Sequence, residues 1–188
     1  MQSHRTRSMG RPICIFFLVT IIAGTCAAQR PTDSAGLDAF ALQLVNSSSQ
    51  QRTELLAAHP ELISVALRKE LVRQGNILLV DAKYAPALEV YRLVEKITEQ
   101  IGDKEGLAAT SLNIGSVYYF QGKYDLALEN YNKAQQLFAA LGNRSEAAGA
   151  LVGRALTFQA QQKLPEALAQ FQQALKRIWS AQRWDWYL

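Results

Sequence analysis

The side chains that could do chemistry are few, and their spacing assembles no catalytic set. The 188-residue chain holds two histidines, His4 and His59, and two cysteines, Cys14 and Cys26. A Ser-His-Asp relay needs a histidine within reach of both a nucleophile and an acid. A metal centre needs several His, Cys or clustered acids. His59 stands before Pro60 with no ligand-type residue at metal-binding spacing, and the acids are scattered singly, as on solvated helix faces. No glycine-rich phosphate loop occurs. The expectation is a protein that is not an enzyme, with no catalytic residue, no cofactor and no metal. His59 reads as a cap or surface residue at a helix junction.

His4 and both cysteines lie in a segment laid out for export. Arg5, Arg7 and Arg11 form a basic start, Ile13 to Ala23 is an uncharged apolar run of 11 residues, and Ala23-Gly24-Thr25-Cys26-Ala27-Ala28 supplies small residues. That is the order of a secretory signal peptide, and the run is short of the roughly 20 residues that a membrane-spanning helix needs. Residues 1–28 are therefore expected to be removed, by cleavage after Ala28 or Ala27. An uncleaved anchor is one alternative. Lipidation at Cys26 is another, although Ala23-Gly24-Thr25 fits a lipoprotein signal poorly. Export to the periplasm or medium follows, with no stable membrane insertion after cleavage. Of 20 basic residues, three fall in the leader, which leaves 17 against 16 acidic ones, a net charge of +1. The basic character belongs to the leader, so a nucleic-acid partner is not expected.

What must position any functional surface is a repeat. Tyr84-Ala87-Leu88-Tyr91 returns as Tyr124-Ala127-Leu128-Tyr131 and again as Leu164-Ala167-Leu168-Phe171, a step of 40 residues. Gly75, Gly115 and Ala155 keep the same step, as do Lys83, Lys123 and Lys163. The stops predict helices over 60–81, 84–101, 104–121, 124–141, 144–161 and 164–180. Gly102 and Gly142 suit left-handed helix ends, Asp103 and Asn143 suit N-caps, and Asn143 with Glu146 resembles a capping box. Residues 29–36 read as a polar linker, followed by short helices over 37–45 and 50–58. No stretch alternates with period two, so the fold class is all-α, without sheet. The small residues at 75, 115 and 155, and at 87, 127 and 167, mark where helix backbones approach closely beside Tyr91, Tyr131 and Phe171.

This pattern resembles the tetratricopeptide repeat, best in the second copy through Leu112, Ile114-Gly115, Tyr118, Gly122, Tyr124, Ala127-Leu128, Tyr131 and Ala134. The 40-residue step is longer than the usual 34. The resemblance implies antiparallel helix pairs stacked as a right-handed solenoid. Three repeats are expected over 64–178 (about 64–103, 104–143 and 144–178), after the linker and short helices of 29–63 and before an aromatic tail at 179–188. An exported leader, the segment Leu55-Leu56-Ala57-Ala58-His59-Pro60-Glu61-Leu62 and long repeats also resemble the front of bacterial proteins that continue into a caspase-like CHAT domain, which this chain does not contain.

The resemblance implies a protein or peptide partner, held on the concave face lined by the first helix of each pair. Its ligand-facing positions map to Lys69, Arg73, Asn76, Asn113, Ser116, Tyr119 and Gln159, with apolar or small neighbours such as Val72, Leu112 and Gly149. Some family members grip a C-terminal carboxylate through five positions. Here those are Val72, Asn76, Asn113, Gly149 and Gly153, and without the cations that clamp is not expected. A mostly neutral groove for an extended peptide or a helix remains, unless Tyr119 and Phe120 simply fill the space between helices. At the other end, Phe171, Leu175, Ile178 and Trp179 lead to Trp184, Trp186 and Tyr187. A terminal apolar face invites association, so self-association through the C-terminal end is favoured over a folded-back tail.

Overall fold

The computed structural model describes residues 34–181; residues 1–33, with the expected leader, and those from 182 onward, with most of the aromatic tail, lie outside them. Eight helices occur there, with no strand: α1 (Ser34–Asn46), α2 (Ser49–Ala58), α3 (Val65–Val80), α4 (Tyr84–Ile101), α5 (Lys104–Phe120), α6 (Tyr124–Ala140), α7 (Arg144–Ala160) and α8 (Leu164–Ala181), with a 3-10 turn at Pro60–Leu62. The pairs α3/α4, α5/α6 and α7/α8 stack in sequence order. Two boundaries differ from the sequence reading. Helix α1 begins inside the stretch read as linker. The helix expected over 60–81 is broken, because Ser64 turns extended (φ −149°, ψ 167°) and its side chain accepts from Leu67 N to cap α3. Pro60 opens only the short turn before it.

The corners are closed by local chemistry. Gly102, Gly122 and Gly142 sit at φ 70°, 71° and 74°, where a side chain would crowd the backbone. Asp103 Oδ1 accepts from Gly106 N at 2.8 Å and Asn143 Oδ1 from Glu146 N at 3.3 Å, so both act as N-caps. The complete reciprocal capping box is at Ser48 and Gln51, where the sequence reading had placed only a helix break.

Packing is organised by two tyrosines. A methyl group on Gly75 would stand 2.7 Å from Tyr91 Cε1, so the ring lies flat on the bare α3 backbone. Tyr131 is held on two sides: added methyls on Gly115 and Gly153 would meet its ring at 2.8 and 2.7 Å. It thus joins its own pair to the next. Ala87 and Ala127 are fully buried, as the small-residue spacing predicted.

The N-terminal helices form part of the packed body. Phe40, Ala41 and Leu44 of α1 enter one core with Leu67, Leu71, Val90, Val94 and Ile97. Arg52 of α2 secures them. Its Nε donates to Leu44 O at 2.8 Å and a terminal nitrogen to Val45 O at 3.1 Å, while the other pairs with Glu89 of α4 at 3.3 Å. A cation on the last carbonyls of α1 also opposes the negative end of its dipole.

Candidate functional site

Between repeats, the first helices touch their neighbours: α3 meets α5 and α5 meets α7, more closely than α4, α6 and α8 meet one another. A stack drawn together on one side curves toward that side. The inner layer is therefore α3, α5 and α7, and the 40-residue step sets their outward positions in four rows. The rows are Lys69, Ala109, Gly149; Arg73, Asn113, Gly153; Asn76, Ser116, Leu156; and Leu79, Tyr119, Gln159. Charge is confined to the first repeat, and size falls to glycine by the third in the first two rows.

Each expected contact residue has a definite setting. Lys69 is exposed beside a 410 Å³ hollow between α3 and α5, bordered by Val65, Arg68, Asp103 and Ala109. In that hollow Arg68 Nε lies 2.9 Å from Asp103 Oδ2, with its N–H turned away, so the contact is a charge pair without a hydrogen bond. Arg73 is committed to Glu70, with Nε 2.8 Å from Oε2. That hydrogen bond holds the Glu70 carboxyl below the usual carboxylate range, with Gln74 adding to the effect and burial opposing it. Asn76 accepts the Tyr91 hydroxyl at 2.6 Å, and Ser116 accepts that of Tyr131 at 3.2 Å. Both therefore hold buried tyrosines in place and leave only part of their polar capacity to a ligand. Asn113 is half-buried, and Gln159 is exposed.

Tyr119 belongs to an aromatic cluster at the end of α5. Its ring centroid is 5.3 Å from Phe120 and 6.2 Å from Tyr124, and Phe120 stacks on Tyr84 at 6.3 Å. Phe120 is 56% exposed, so it lies at the surface and does not fill the inter-helix space. Gly153, expected as a groove position, instead receives Tyr131, while a methyl group on Gly149 would meet nothing within 4 Å. In the third repeat the floor is thus open at Gly149, with exposed Leu156 and Gln159 beyond it. Arg52 and the Arg68–Asp103 pair were missed by sequence reasoning. Their partners are 7 to 37 positions away, and no local pattern points to them.

His59 ends α2, and its ring meets Phe40 edge-on at 5.5 Å and Glu61 at 3.3 Å, which is the setting of a junction residue. Among the described residues, no group of three or more His, Cys, Asp or Glu could hold a metal, and no helix is long and apolar enough to cross a membrane.

The sequence profile of the tetratricopeptide repeat matches residues 71–140 and 106–178, together more than half of the chain. The chain belongs to the tetratricopeptide-repeat family. Solved structures share the fold of this tetratricopeptide array. The TPR domain of Arabidopsis FLU superposes with a TM-score of 0.55 at 14% identity, over 60% of this chain and 95% of that one. BtubC (BKLC) from P. vanneervenii superposes with a TM-score of 0.57 at 19% identity, over 78% of this chain and 57% of that one. At these identities the likeness concerns the fold. A comparison with curated proteins finds no match. Members of the family are typically non-catalytic and bind proteins or peptides, which makes the array a protein-interaction scaffold.

Proposed function

We propose that this protein is an exported, non-catalytic scaffold whose α3/α5/α7 face holds an extended peptide or a helix of another protein. The inner layer carries the reading: it is graded from Lys69 and Arg73 to the bare Gly149, with Asn113, Tyr119 and Gln159 between. Such a face suits a ligand that is polar at one end and apolar along its length. Capture from the native envelope fraction tests it. The protein should retain a partner that a Lys69→Glu/Asn113→Arg/Tyr119→Ala variant loses, while both melt alike. Equal retention by the variant contradicts the groove.

Export is supported by the arginine-rich start and the Ile13–Ala23 run. Mass spectrometry of the exported protein should find an N-terminus at Ala28 or Gln29, and an intact Met1 overturns it. The alternative function is the recognition part of a caspase-like peptidase whose catalytic domain lies elsewhere. The Leu55–Leu62 segment favours it, and DNA downstream that encodes a His- and Cys-bearing domain in any frame would support it. No nucleic-acid partner is proposed. The exposed apolar end of α8 supports self-association as a second contact.

A further inference from the structure

Helix α8 carries an apolar stripe that nothing among the described residues covers. Leu164, Leu168, Leu175, Ile178 and Trp179 are 63, 58, 55, 39 and 73% exposed. Two of these positions are sheltered one and two repeats earlier by the first helix of the following pair. Phe138, which matches Ile178, is 1% exposed, and Leu88 and Leu128, which match Leu168, are half-buried. Among the described side chains of α8, only Ala167 and Ala174 are buried, against α7.

The stripe is self-complementary. Leu164 and Ile178 lie seven residues on either side of Phe171, Leu168 three before it and Leu175 four after it. These alternating steps of four and three place the side chains in one seam, of the kind that packs one helix along another. Turned end for end about Phe171, the seam superposes closely on itself. No charged side chain interrupts it. On the scale of 150–250 Å² for a large side chain, its exposed part is roughly 500 Å². Two copies then bury up to about 1,000 Å², the size of a weak, reversible contact.

We infer that two copies of this chain pair through α8 in antiparallel orientation, a geometry that rests on the proposed self-association. The repeat sets the direction. The matching face of α4 receives α5 and that of α6 receives α7, each folding back across a short corner and so running antiparallel. A partner α8 seated on the same face of α8 takes that antiparallel course.

Sedimentation equilibrium of the purified chain should show a mass rising toward twice the monomer through the micromolar range, as a contact of this size permits. A Leu168→Glu/Leu175→Glu variant should stay monomeric with unchanged helicity, because both side chains are more than half exposed. Direction is read by disulfide trapping in a Cys14→Ser/Cys26→Ser background. Leu164→Cys/Ile178→Cys should give a covalent dimer, and neither single cysteine should. Covalent dimers from each single cysteine would overturn the antiparallel geometry while leaving self-association standing. A mass fixed at the monomer value at every concentration overturns both. In that case, buried tryptophan fluorescence would assign the stripe to residues 182–188 of the same chain.

Discussion

Two residues carry strain that the repeat itself exposes. Ala82 and Gln162 adopt φ 56° and 60° at the corner where the second repeat has Gly122 at 71°. A residue with a Cβ pays about 1–2 kcal/mol in this region. Ala82→Gly and Gln162→Gly should each raise stability by roughly 1 kcal/mol after the added chain entropy of glycine, and Gly122→Ala should lower it by a like amount. Urea unfolding reads all three, and a destabilised Ala82→Gly would contradict the corner geometry. The buried tyrosines set the alkaline limit. Burial pushes the Tyr91 hydroxyl up to about 12. Burial also raises that of Tyr131, against the opposing hydrogen bond to Ser116. An unfolded tyrosine ionises near 10. The fold therefore favours the neutral hydroxyls: the Tyr91 contribution is whole below about pH 10 and is lost as pH rises through its folded value of about 12, and that of Tyr131 is lost in the same direction. Phenolate absorbance should show two of the seven tyrosines titrating late, together with loss of helicity. Titration of all of them near 10 with the helices intact would be the contrary result.

At the scale of elements, helices α4 to α8 were legible because their limits are written in local chemistry. Gly102, Asp103, Gly142 and Asn143 end one helix and start the next within two residues. The break before α3 was not legible, since Ser64 lies in an unremarkable run and Pro60 mimics a helix start. The role of α1 and α2 was hidden for a different reason: it depends on Arg52 reaching back to Leu44 and across to Glu89. Arg52→Ala should cost about 1.5–3 kcal/mol, the range for hydrogen bonds to a charged donor. Proteolysis should then cut first between α1 and α3. Unchanged protection of that segment would show that the apolar contacts of Phe40 and Leu44 suffice alone. In the candidate site, the sequence placed residues on the first helix of each pair but could not show which were already engaged. Asn76, Ser116 and Gly153 serve Tyr91 and Tyr131, and only the packed pairs reveal it.

At the scale of the whole molecule, the described residues form three stacked helix pairs, with α1 and α2 packed at one end and the exposed apolar side chains of α8 at the other. The tyrosines that bind one pair to the next also brace the inner face through Asn76 and Ser116. The measurement that tests this account most directly is photo-crosslinking in the native envelope. A benzophenone side chain placed at Asn113 on α5 is compared with one at Glu129, exposed on α6. The account predicts crosslinks from position 113 to a defined segment of another protein, with none to that segment from position 129. Crosslinks to the same segment from 129 and none from 113 would contradict it.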